Sequence, residues 1–325
     1  MNNISVIKLE GEGIGSARTF LKQHGANFFQ IDPVVTWAGV MEHLENQIFQ
    51  YAKSKSVHVA RNQEGEIVGL IGFQKKQWDE EHFGYPVAAI DYLYATKGSE
   101  GRAAADQLLH VFDSWAAAEG IKRASVRYMQ QEEIASALLA HSFYFIENDS
   151  YLARDLTKNP PKENTVPSGI TIRLYMPGEE EKIYEIVRRA PWTNRFHSDK
   201  TIEKTRADEL YVKWVRGGIS NASKRITVLE CEGRLAGFML WSYERIVSGG
   251  DSFLLGDQEL VAIDPDFSGR GFARHLYNGC LVHMSKLGVS RAWTVVNSQN
   301  TPALKTLKNL GFSSVYTADV YHRQF

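Results

Sequence analysis

Hydrophobic and polar residues along the chain repeat with two periods, and the period switches many times. Residues 16–25 and 37–53 carry apolar side chains near a spacing of 3.6, which predicts helices. Residues 57–60 and 67–73 read as strands, with Gln63-Glu64-Gly65 as their hairpin turn. An aromatic, turn-forming run follows at 78–86. Next come a strand at 88–95, a helix at 101–120, a strand at 124–128, a helix at 132–140 and strands over 144–156. Residues 157–169, TKNPPKENTVPSG, break the pattern. Three of the nine prolines fall there and nothing in it is periodic, as expected of a linker.

The pattern resumes with a strand at 170–175 and a helix opening at Glu179-Glu180-Glu181, where negative charge suits the helix dipole. A further helix is expected over 199–216, stopped by Gly217-Gly218, and strands over 225–230 and 235–243. The apolar run from Glu259 to Ile263 reads as a buried strand ending at the turn signal Asp264-Pro265. Ser268-Gly269-Arg270-Gly271-Phe272-Ala273 then leads into a helix. A strand at 292–296 follows, and a last helix opens at Asn300 and ends in Gly311-Phe312.

The two halves repeat. Gly65 and Gly233, each in Glu-Gly before a strand, lie 168 residues apart (233 − 65). Gly101 and Gly271, each beside Arg at a helix start, lie 170 apart (271 − 101), and Phe143 and Phe312 lie 169 apart (312 − 143). A near-constant offset predicts two copies of one fold. The first copy has Gly98-Ser99-Glu100-Gly101-Arg102-Ala103 at its loop, where Glu100 opposes a phosphate.

The loop at 268–274 carries the clearest chemistry. The first amides of a helix lack internal partners, and the dipole favours negative charge there, so the loop reads as an anion site. Arg270 and Arg274 add positive charge. An ordinary strand–turn–helix with glycines for a tight turn is the structural alternative.

This order of strand, glycine loop, helix, strand, Asn-headed helix and Gly-Phe resembles the GNAT family of acetyl-CoA-dependent N-acyltransferases. Gly271 and Ala273 match the last two fixed positions of that family's loop, Gln/Arg-x-x-Gly-x-Gly/Ala; Ser268 departs at the first. Asn300, Ala303, Leu310, Gly311 and Phe312 match its second motif. The resemblance implies an α/β (α+β) chain of two tandem folds, each a mixed, mostly antiparallel twisted sheet flanked by helices. Residues 1–157 would be a degenerate first domain, 158–169 the linker and 170–325 the acetyl-CoA-binding domain. It also implies that backbone groups of Val261, Ala262 and Ile263 pair with pantetheine. The amides from Gly269 through Arg274, with Ser268, Phe272 and Ala273 in the same loop, would hold the pyrophosphate. Asn300, with Ala303, would sit near the pantetheine end.

Acyl transfer from a thioester to an amine requires alignment, a neutral amine, a stabilised oxyanion and protonation of the thiolate. Glu259 is the candidate base, with a structural strand carboxylate as the alternative. Many family members place a Tyr acid seven residues after the motif's Asn; here that position is Leu307. Tyr316 or Tyr321 could supply the proton, or the thiolate leaves unaided, since a thiol near pKa ~8.5 is acidic enough. Residues 192–199, WTNRFHSD, with Tyr211 and Trp214, resemble the dTDP-fucosamine acetyltransferase group, as do residues 78–85 and Tyr321-His322. Arg195, Phe196, His197 and Asp199 would then line an acceptor pocket. A packed Phe196 with a cap at Ser198 or Asp199 is the alternative.

Composition narrows the field. The chain of 325 residues suits two domains, and its net charge of −1 gives no field for nucleic acid or anionic membrane. Cys231 and Cys280 are the only cysteines, which excludes a disulfide framework and fits a cytoplasmic protein. No cationic-apolar leader opens the sequence and no apolar run approaches the ~20 residues a membrane helix needs. The ten histidines show no metal-ligand spacing, so no metal is expected. The expected ligands are acetyl-CoA and a small-molecule amine, such as an amino sugar, amino acid, peptide or antibiotic amine. A non-catalytic CoA-sensing module is the other reading. The chain is expected as monomer or homodimer.

Overall fold

The computed structural model describes residues 4–9, 13–24, 48, 51–52, 56–163, 166–248 and 251–325. Most of the helix expected over 37–53 lies outside the described residues. Two compact units are present: Met1–Asn148 with Tyr316–Phe325, and Asp149–Val315.

The first unit contains β1 (Ser5–Lys8), α1 (Gly13–His24), β2 (Ser56–Arg61), β3 (Ile67–Lys75), α2 (Gln77–Phe83) and β4 (Val87–Ala95). It continues with α3 (Gly98–Ala118), β5 (Arg123–Met129), α4 (Glu132–Ala140) and the start of β6 (Tyr144–Asp155). Most of β12 (Ser313–Gln324) also belongs to it. The sheet runs β1-β2-β3-β4-β5-β12. Among the described strands of this unit, β4 and β5 form the one parallel pair, as a strand–helix–strand crossover requires. Phe73, Phe112 and Phe143 are fully buried in its core.

The second unit repeats this plan. It holds the rest of β6, then β7 (Ile170–Leu174), α5 (Glu180–Arg189), α6 (Arg195–Ser198), α7 (Lys204–Ser220), β8 (Lys224–Cys231) and β9 (Arg234–Ser248). There follow β10 (Asp251–Ile263), a 3-10 turn at Pro265–Phe267, α8 (Phe272–Lys286), β11 (Arg291–Asn297) and α9 (Thr301–Asn309). Its sheet runs β6-β11-β10-β9-β8-β7, with β10 and β11 the one parallel pair among the described strands. Trp241, Phe238, Cys280 and Leu276 are among its buried side chains, and the Trp241 indole donates to Thr227 Oγ1 at 3.0 Å.

Each half of the sequence thus lends a strand to the other half's unit. The second part of β6 pairs with β11 from Asp149–Asn297 to Asp155–Arg291, and β12 pairs with β5 from Ala318–Met129 to Gln324–Arg123. The compact units therefore do not coincide with a single cut at 158–169.

Two expected boundaries shift for identifiable reasons. The helix expected from 199 starts at Lys204, because Asp199 closes a turn: its Oδ1 accepts from the Thr201 amide at 2.9 Å. Gly217-Gly218 does not stop α7, which continues to Ser220. A Cβ on Gly218 would lie 2.6 Å from Leu240 Cδ1, so the glycine lets the helix press on the sheet.

Gly101 has a similar packing role. A Cβ there would lie 1.7 Å from the Thr96 carbonyl oxygen. Gly101→Ala should therefore destabilise the protein by about 2 kcal/mol or more, a cost of forced overpacking. Urea unfolding checks this; a wild-type midpoint would contradict it.

Candidate active site

The site in the second unit begins at a single irregularity. β10 pairs with β9 along its length, but the register shifts between Gln258 and Leu260, leaving Glu259 as a bulge. Pairing of β10 with β11 covers only Leu255–Gln258 against Arg291–Thr294. Beyond Gln258 the two parallel strands part, although β10 runs on to Ile263 and β11 to Asn297. Val261, Ala262 and Ile263 keep β9 partners on one edge, namely Met239, Phe238 and Gly237. Their other edge faces the opening and can accept an extended ligand as an added strand.

At the end of the opened strand lies the glycine loop. The Asp264 side chain accepts from the Asp266 amide at 2.9 Å, which starts the 3-10 turn. Gly269 and Gly271 both have φ of 76°. No atom would obstruct a Cβ at either, so the left-handed backbone is what demands glycine. Ser268 and Arg274 donate their amides to Pro265 and Gly271 carbonyls. Among the described backbone hydrogen bonds, none has the amides of 269–273 as donors. The anion cradle is therefore narrower than the expected 269–274, because the Arg274 amide is already engaged. Gly271 caps α8 without a side chain, and the first turn carries no acidic residue.

Cations surround the loop. Arg234 and Arg270 lie over the Phe267 ring at 5.0 and 5.2 Å. Arg189 reaches Asp264 at 3.3 Å and Asp266 at 2.6 Å, which holds the Asp266 carboxyl below its usual range. Asn300 caps α9, its Oδ1 accepting from the Ala303 amide at 3.2 Å. Leu307 is fully buried among Leu310 and Phe312. The position at which the resemblance implies a proton donor is a core position here.

Glu259 accepts from the Trp214 indole at 3.2 Å and from Lys224 Nζ. Its side chain is 8% exposed. Lys224, Ser242, Asp257 and Trp293 stand opposite one another across β8, β9, β10 and β11. Asp257 was not anticipated as a site residue. Burial and the neighbouring Glu259 push its pKa up to about 7, against the pull of Lys224. Its place two residues before Glu259, on the same strand, was the only sequence signal for it.

The expected acceptor loop is mostly tied up internally. Asn194 caps α6, and its Oδ1 also meets His197 Nδ1 at 3.0 Å. His197 Nε2 meets Asp208 at 2.9 Å, and burial lowers the imidazole pKa. Phe196 is buried beneath Arg195, whose guanidinium lies 4.6 Å above the ring. Asp199 is 1% exposed and serves Thr201. The loop reaches the site through rings: Trp192 and His197 pack on Tyr211, Tyr211 packs on Trp214, and Trp214 meets Glu259. Tyr316 and Tyr321 belong to the first unit. Tyr321 is buried in that unit's core against Tyr128 and Phe145.

The acetyltransferase (GNAT) family matches residues 8–144 and again 184–312, most of both halves. The chain belongs to this family. Curated GNAT relatives include the mycothiol acetyltransferase of Thermomonospora curvata, 29% identical over 175 residues, covering 53% of each chain. The spore coat polysaccharide biosynthesis protein SpsD of Bacillus subtilis is 24% identical over 147 residues, covering 45% of this chain and 48% of that one. The matched region spans about half the length of these relatives. Among solved structures, a GCN5-related N-acetyltransferase from Sphaerobacter thermophilus superposes with TM-score 0.64 at 14% identity, covering 99% of this chain and 95% of that one. A tandem GNAT protein from the clavulanic acid biosynthesis pathway gives 0.56 at 14% identity, covering 99% and 98%. These structures share the fold.

Asp257 generates a stability test. A carboxyl whose folded pKa is raised stays neutral in the fold while the unfolded chain ionises near the ordinary carboxylate value of about 4. Stability is therefore lost as pH climbs from about 4 to about 7. Asp257→Asn stays neutral throughout, so its Tm advantage over wild type should appear in that window and persist at pH 8. Equal melting at pH 4 and pH 8 for both proteins would contradict this.

Proposed function

We propose that the second unit is an acetyl-CoA-dependent N-acetyltransferase acting on the amine of a small molecule, foremost an amino sugar. The observation that carries this reading is the parting of β10 and β11, which lays an open strand edge, an amide cradle and two carboxylates along one strand. Family membership supports the donor. The relative named for polysaccharide biosynthesis supports a sugar acceptor, and those named for mycothiol support a small acceptor.

The residues divide the work by position. The open edge of Val261–Ile263 aligns the pantetheine arm, and amides 269–273 with Arg270 hold the pyrophosphate. Asn300 spends its carbonyl oxygen on the α9 cap, which leaves its amide nitrogen for the thioester end. Asp257 and Glu259 take the proton from the acceptor ammonium, directly or through one water. Lys224 and Trp214 hold the Glu259 carboxylate in place. The freed amine lone pair attacks the thioester carbon, the C–S bond breaks with its electron pair leaving on sulfur, and the second proton on nitrogen passes to that thiolate, directly or through water, to give the amide and the free thiol. Trp192, Arg195 and Trp214 border the acceptor side. In the first unit, Glu133 Oε1 accepts from the Gly98 amide at 2.7 Å, so the start of α3 is already capped by the chain's own carboxylate. The first unit is therefore not a second donor site.

Calorimetry should show one acetyl-CoA bound per chain, and Gly271→Val should abolish it; two equivalents, or retained affinity, would contradict the assignment. Thiol release with a panel of amines tests the acceptor. Turnover on amino acids or peptides but not amino sugars would remove the sugar, and binding without turnover on any amine would indicate a sensing module. Glu259→Gln and Asp257→Asn should each lower kcat by about 10²-fold or more. The wild-type rate should rise with pH through about 7 as Asp257 deprotonates; a flat profile from pH 6 to 8 would exclude this base.

A further inference from the structure

We propose that Asp106, His110 and His141 of the first unit form a transition-metal site, with Zn2+ as the fitting ion and Asp113 as the brace behind it. Asp106 and His110 are four residues apart on α3, so they share a face. His141 sits at the C-terminal cap of α4. One donor atom from each residue lies within 4.8 Å of the others.

The individual distances already approach those of a coordination shell. His141 Nε2 lies 3.2 Å from Asp106 Oδ1, and His110 Nε2 lies 3.6 Å from Asp106 Oδ2. In a tetrahedral zinc site with bonds of about 2.0–2.1 Å, neighbouring donors stand about 3.3–3.4 Å apart. Two imidazoles and one carboxylate are the ligand types zinc prefers, and a fourth position is left for water.

The surroundings of His141 argue beyond a chance cluster. Its side chain is only 5% exposed, and its Nδ1 meets Asp113 Oδ2 at 2.6 Å. Asp113 is itself held by Arg323 on β12. This fixes the ring so that Nε2 points at Asp106, the carboxylate–histidine arrangement that orients metal ligands. The helix C-terminus adds a negative dipole end that favours a cation. Entry is open: the Asp106 and His110 side chains are 41% and 61% exposed, and Asp106 lines a cavity with Ser99, Arg102 and Ser136. The sequence showed no metal spacing because His141 is 31 residues (141 − 110) from its nearest partner and only the α3–α4 packing joins them.

The site would staple α3 to the turn after α4, so the ion should stabilise the fold by mass action. The test uses the full chain, stripped with chelator. ZnCl2 is titrated by calorimetry, and CoCl2 is followed by its visible absorption. Expected are one saturable equivalent per chain, visible bands of a low-symmetry Co2+ site, and a raised Tm. His110→Ala removes an exposed ligand and should keep its metal-free melting temperature while binding Zn2+ at least tenfold more weakly. Asp106→Asn should behave likewise. Asp113→Asn should weaken binding about 10- to 100-fold through loss of the brace. Absence of a saturable equivalent, or unchanged Zn2+ affinity in His110→Ala, overturns the proposal.

Discussion

One extra residue in one strand sets the geometry of the second unit. The bulge at Glu259 bends β10 and steepens its twist, and the ladder with β11 ends at the residue before it. Backbone groups that a regular sheet would consume are thereby released at the strand's far end. The same bend brings the strand to a loop whose two left-handed glycines leave five successive amides unspent. A sheet without the bulge would have a closed edge, and the glycine loop alone would be only a phosphate cradle.

The first unit has the same device and has closed it. Its register shift leaves Asp91 as the bulge, 168 residues before Glu259 (259 − 91), and β4 pairs with β5 only up to Ile90. Asp91 accepts from Tyr51 at 2.8 Å, Gln74 at 2.6 Å and Lys76 at 2.8 Å. A carboxylate with three donors of its own has little left for a ligand. At the helix start, α3 begins at Gly98 and takes Glu133 as its anion, whereas α8 begins three residues after Gly269 with no acidic group in its first turn. The copies differ less in backbone plan than in where the polar groups find partners.

The parts of this arrangement legible in the sequence were those governed by local rules. Period, turn residues and the offset between copies exposed the two sheets, and Gly269 and Gly271 were readable because a positive φ is a backbone demand. The site's opposite wall was harder. Trp214 is half-buried on α7, and only the folded chain brings its indole nitrogen to Glu259. Asp257 acquires its raised pKa first from burial and then from Glu259, against the pull of Lys224, and burial is not a property of sequence spacing. Asp199 and Phe196 looked available because their partners, Thr201 and Tyr211, are ordinary residues until the loop folds. The Gly217-Gly218 pair misled because glycine serves close packing as well as helix termination.

The exchange of β6 and β12 between units bears on how the chain is made. The first unit's sheet lacks its β5 neighbour until residues 316–325 have been synthesised, after the whole of the second unit. The second unit needs Asp149–Asp155, which the ribosome releases just after the first unit's main body. Co-translational folding therefore finishes the later unit first, and β5 must wait with an unpaired edge while 167 residues are added (315 − 149 + 1). An exposed strand edge of that kind is a template for pairing with other chains. Slow synthesis of the second half would lengthen that exposure, and rapid closure by β12 ends it.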